Sequence, residues 1–145
     1  MGQSTNTLNQ REVGAGKRWL TWHNTGVAAL FVYGTTFLWL TAAFPGTAKP
    51  PAGTVSITNV LVVATILGFT VAAWGVYKVT SWWERLAIGS AVFGFAPLIP
   101  YWVAAHTVSG AGTAAYVIGI HVVGNAMVLL LLLVPSLEHW VRGRL

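Results

Sequence analysis

Cysteine is absent from the 145 residues, which excludes disulfide frameworks, thiolate metal sites, thiol nucleophiles and lipids attached through Cys. Acid is almost as scarce. Three carboxylates, Glu12, Glu84 and Glu138, stand against eight Lys plus Arg. No carboxylate falls inside a long apolar run, so paired-carboxylate acid/base chemistry has no residues to use. A buried proton relay or cation site lacks its usual ligand for the same reason. Nucleophile-elbow, P-loop and dinucleotide patterns are missing too. Charged residues make up 8% of the chain, where a soluble domain carries about 25%. The hydrophobic share is 55% and mean hydropathy is +0.67. A water-exposed globule is excluded, and the solvent that sorts this chain is a bilayer.

What is present is apolar sequence in long runs. Residues 1–18 are polar and basic. Hydrophobic character then covers 19–44, about 26 residues and roughly 39 Å of helix, too long for the core of a secretory signal. The loop 45–53, rich in Pro and Gly, cannot continue it. Further runs follow at about 56–77, 86–105 and 113–134, the last stopped by Pro135 and followed by a basic tail, 135–145. Each holds about 20 or more residues without a charge, enough to cross a hydrocarbon core of about 30 Å. The expected fold is all-α and integral to the membrane, an up-down bundle of four transmembrane helices.

Orientation follows from the cations. Arg11, Lys17, Arg18, Lys78, Arg85, Arg142 and Arg144 share one side if four spans alternate, and Lys49 is alone on the other. The positive-inside rule then puts both termini in the cytoplasm and the protein in the cytoplasmic (inner) membrane. The basic N-terminal segment orients the chain and attracts anionic lipids. It has little aromatic interleaving, so nucleic acid is not an expected partner. All eight Trp lie near expected span ends, where an indole keeps its ring in hydrocarbon and its N–H among headgroups. Small residues four apart, Ala111, Ala115 and Gly119 on the last run and Ser90 with Gly94 on the third, predict close helix contacts. Thr35, Thr36 and Thr41 can bond their own preceding carbonyls and therefore require no pore.

The polar residues that could carry chemistry are His121 and Asn125. They share a helical face at the middle of the last run, with Gly124 beside them. Ionisable groups at that depth are functional candidates. The alternative is interhelical glue, worth about 0.6–2 kcal/mol per side chain. Pro97 and Pro100 interrupt the third run and release the carbonyls of Phe93 and Ala96. Those carbonyls are the expected partners of Asn125 and His121, with Tyr101 nearby. His106 and Trp102 define an expected external rim. No metal site and no catalytic residue is expected. Haem b held by two histidines is disfavoured, because His23, His106, His121 and His139 fall at different depths. A quinone or lipid pocket needs less, one His, one Asn or Tyr, and an apolar slot. No cofactor is expected, with haem b and a quinone the two these residues would admit.

Two functions from different classes remain. One is a small non-catalytic membrane subunit or scaffold of a larger complex, bordering a lipid or quinone site. The other is a small homo-oligomeric transporter or channel with a path lined by the last span. A third, an intramembrane enzyme acting on lipid or isoprenoid, would have only His121 as its acid or base. Expected partners are membrane lipids and either other membrane subunits or further copies of the chain.

Overall fold

The computed structural model describes residues 21–42, 52–107 and 111–145. The basic N-terminal segment and most of the loop around Lys49 lie outside them. Among the described residues every regular element is a helix: α1 (Trp22–Thr36), α2 (Trp39–Ala42), α3 (Ala52–Tyr77), α4 (Trp83–Phe93), α5 (Leu98–Thr107), α6 (Ala111–Leu133) and α7 (Pro135–Arg142). Among the described residues three stretches are long and apolar enough to cross a membrane: Ala52–Tyr77, Trp83–Ala105 and Ala114–Leu133. The second of these joins α4 to α5. Helix α3 packs against α1, α4 and α5, while α6 packs against α4, α5 and α7.

Burial along α3 is the pattern of a helix apolar on all sides. Thr58 and Thr65 are buried, while Val60, Val63, Leu67 and Val71 are exposed. The buried hydroxyls are satisfied within their own helices. Thr58 donates to the Thr54 carbonyl at 2.8 Å, Thr65 to Leu61 at 2.9 Å and Ser90 to Leu86 at 2.7 Å. Water is not the solvent that this surface was built for.

Local chemistry sets the helix ends. Thr21 caps α1 by accepting from the Asn24 amide at 3.2 Å. The expected unbroken first run stops at Thr36. Here the hydroxyls of Thr35 and Thr36 bond back to the Val32 and Tyr33 carbonyls at 2.7 and 2.6 Å, and the Phe37 amide bonds to Gly34. This back-bonding agrees with expectation for these two; the Thr41 side chain lies outside the described residues. Helix α3 begins at Ala52, earlier than the breaker-rich loop suggested. Between α4 and α5, residues 94–97 form tight turns with Pro97 wholly buried at their end. Pro135 ends α6 and serves as the first residue of α7.

The core has two parts. Phe37, Leu40, Val62, Phe69 and Tyr101 belong to one, and Ala72, Val76, Trp83, Ala87 and Leu132 to the other. Val141 and Leu145 of the tail pack on the second. Two polar contacts gather three chain segments at one end of the bundle. Arg142 bridges Glu84 at the start of α4, and also Glu138 at 2.7 Å. His23 at the start of α1 donates from Nδ1 to the Leu145 main-chain oxygen at 2.7 Å.

Candidate functional site

His121 and Asn125 stand one turn apart in α6, both wholly buried. Their partner is α1. The Tyr33 hydroxyl donates to Asn125 Oδ1 at 2.8 Å and lies 3.1 Å from the His121 carbonyl oxygen. Gly124 makes this reach possible, because a Cβ there would collide with the Tyr33 ring and sit 2.7 Å from its hydroxyl. On its other side Asn125 rests against Gly94, where an added Cβ would stand 2.8 Å from both polar atoms of the amide. The expected close contact at Ser90 and Gly94 is therefore present, with Ser90 against Gly68 and Gly94 against Asn125. The other small-residue set behaves differently. Ala115 and Gly119 face outward, and a Cβ on Gly119 would meet nothing within 4 Å. The Ala111 side chain is outside the described residues.

The His121 ring donates from Nδ1 to the Val117 carbonyl of its own helix at 2.7 Å and meets Phe37 edge-to-face at 4.5 Å. The expected bonds to Phe93 and Ala96 are not made. Proline does remove the regular helical donors of those carbonyls, but the turn tightens and reclaims them. The Ala96 amide donates to Phe93 at 2.9 Å and the Ile99 amide to Ala96 at 3.3 Å. Among the described residues His121 Nε2 and Asn125 Nδ2 are buried without a hydrogen-bond partner. With its proton on Nδ1, a neutral ring offers Nε2 as an acceptor, and the amide nitrogen offers a donor.

Pro97 and Tyr101 are wholly buried and Pro100 partly so. Tyr101 belongs to the same apolar cluster as Phe37 and Phe69. Trp102 is 39% exposed. His106 lies in α5, and its side chain is outside the described residues, as is its role at a rim. Among the described residues no three His, Asp or Glu side chains gather where they could hold a metal ion.

Beside Tyr33 a groove of about 400 Å³ runs between α1 and α6 toward α7. Tyr33 and Gly124 line one end, Leu30 and Val128 the middle, and Trp22, Trp140 and Arg144 the other end. Its walls are almost entirely apolar, and Trp22, Met127 and Trp140 on its rim are exposed. The Arg144 guanidinium sits 4.1 Å from the Trp140 ring centroid and 5.4 Å from that of Trp22, and the two indoles meet edge-to-face at 5.8 Å.

Sequence reasoning missed Tyr33, Phe37 and the part played by Arg144. Tyr33 did carry a signal. It is the tyrosine furthest from any expected span end, and a hydroxyl at such a position needs a hydrogen-bond partner inside the protein. Comparison with known proteins finds no matching family model, no similar curated protein and no similar solved structure.

Proposed function

We propose that the chain is a small non-catalytic subunit or scaffold of a larger membrane complex, holding a long-chain amphiphile beside its first and last helices. The observation that carries this reading is the groove ending at Tyr33 and Gly124, next to the Tyr33–Asn125–His121 cluster. An apolar slot with a few fixed polar groups at one end is the ordinary form of such a site. The outward face of Ala115 and Gly119 lets a neighbouring helix approach closely, as contact with another subunit requires.

In this reading four helices cross the cytoplasmic membrane and both termini are cytoplasmic. The contacts at one end of the bundle support it. His23 with Leu145, and Arg142 with Glu84, bring the start of α1, the α3–α4 connection and the tail together. That end carries Lys78, Arg85, Arg142 and Arg144, the charge expected of a cytoplasmic side. Purification in gentle detergent followed by native mass measurement tests the proposal. Foreign chains in fixed stoichiometry are the expected result. A homo-oligomer without other chains would overturn it in favour of the transporter, and a haem absorption band would overturn its lack of a haem.

A further inference from the structure

We propose that the groove between α1 and α6 is a site for one anionic phospholipid, with an acyl chain along the groove and the phosphate on Arg144. This rests on the membrane reading above and names the amphiphile. Trp22 and Tyr33 are eleven residues apart on α1, so the groove extends about 16 Å, close to half of a hydrocarbon core of about 30 Å. It therefore has the depth of a single leaflet. Its inner end is closed by the Tyr33 ring lying over Gly124, and its side opens past the exposed Ala29 and Met127.

The mouth supplies the charge. Arg144 is held over two indoles, and both glutamates in the neighbourhood, Glu84 and Glu138, are already paired with Arg142. Arg144 makes no ion pair among the described residues. A guanidinium fixed on aromatic faces with its N–H fork open is suited to a phosphate. Trp22 and Trp140 beside it belong at headgroup depth. A headgroup that also carries an ammonium would bring a like charge to Arg144, so a net negative lipid is preferred. A quinone fits less well. It has no anion for the mouth, and at the inner end the Tyr33 hydroxyl already donates to Asn125 Oδ1.

The test is native mass spectrometry of the full chain released from bilayers of equal phosphatidylglycerol and phosphatidylcholine, doped with a quinone. The expected result is one retained phosphatidylglycerol per chain, preferred about tenfold, as one charge-assisted contact would give. Arg144→Gln, at an exposed position, should bring that preference close to one. Ala29→Phe, which fills the groove from its exposed wall, should remove both lipids. An excess of glycerol phosphate, which has the anion without the chain, should displace nothing. Equal retention of the two phospholipids, an unchanged preference in Arg144→Gln, or selective retention of the quinone would overturn the proposal. The same spectra separate it from the subunit reading. Foreign chains without lipid preference sink the groove alone, and a homo-oligomer with lipid preference sinks the subunit alone.

Discussion

A tyrosine hydroxyl half-buried between apolar helices has few alternatives to the partner it finds. The Tyr33 hydroxyl donates to Asn125 Oδ1, with Asn125 wholly buried and Tyr33 half-buried at the end of the groove. Replacing Tyr33 by Phe removes the donor and leaves Asn125 Oδ1 buried beside an apolar edge. Replacing Asn125 by Leu removes the acceptor and presses a branched side chain on Gly94. The two changes should not add. A double-mutant cycle of Tyr33→Phe and Asn125→Leu, read by unfolding in mixed detergent, is expected to give a coupling of about 0.6–1.7 kcal/mol. A coupling near zero would mean that the hydrogen bond is incidental. The composition of this site was legible in the sequence to the extent of His121 and Asn125, because a polar pair at helical spacing stands out in an apolar run. Its pairing was not legible. Proline chemistry pointed to Phe93 and Ala96, but a tightened turn satisfied those carbonyls locally, and no sequence periodicity records which neighbouring helix carries Tyr33.

At the scale of whole helices, the connection from α3 to α4 holds the clearest strain. The Thr80 amide bonds to Gly75 at 3.0 Å and the Val79 amide to Val76 at 2.9 Å, the pairing of a Schellman cap. That cap requires a left-handed residue after the helix, and Val79 fills it with φ 53°. A β-branched residue in this region costs about 1–2 kcal/mol. Val79 is 75% exposed, so its side chain returns little in packing. Val79→Gly should therefore stabilise the protein, by about 1 kcal/mol after the greater freedom of unfolded glycine is counted. Unfolding of the variant alongside the parent measures it, and a destabilised variant would show that Val79 has contacts beyond this chain. The long apolar stretches were legible because hydropathy is a property of composition. The interruptions were harder to place. The break after Thr36 comes from threonine hydroxyls competing for helix carbonyls, and the amphipathic α7 was hidden behind a proline that stops one helix and starts the next.

For the molecule as a whole, the decisive quantity is the number of crossings. The described helices bring the start of α1, the α3–α4 connection and the tail to one end. In the four-crossing reading proposed above, α1 and α3 form one out-and-back pair and the α4–α5 stretch and α6 form another. Either pair alone returns the chain to the side on which it began. Reporter fusions after Leu145 and within Lys78–Arg85 are therefore expected to read cytoplasmic, and fusions within 45–53 or 109–112 external. The alternative with three crossings leaves the first apolar run on the membrane surface. It would keep 109–112 and the tail on opposite sides and 45–53 opposite Lys78–Arg85, but would move the N-terminus to the side of 45–53. A fusion placed before Trp19 separates the two, because only the even count puts it on the same side as Leu145. An external N-terminus with a cytoplasmic tail would remove α1 from the crossing helices. That result would overturn the four-crossing reading, in which the 2.7 Å contact of His23 with Leu145 lies on one face of the bilayer.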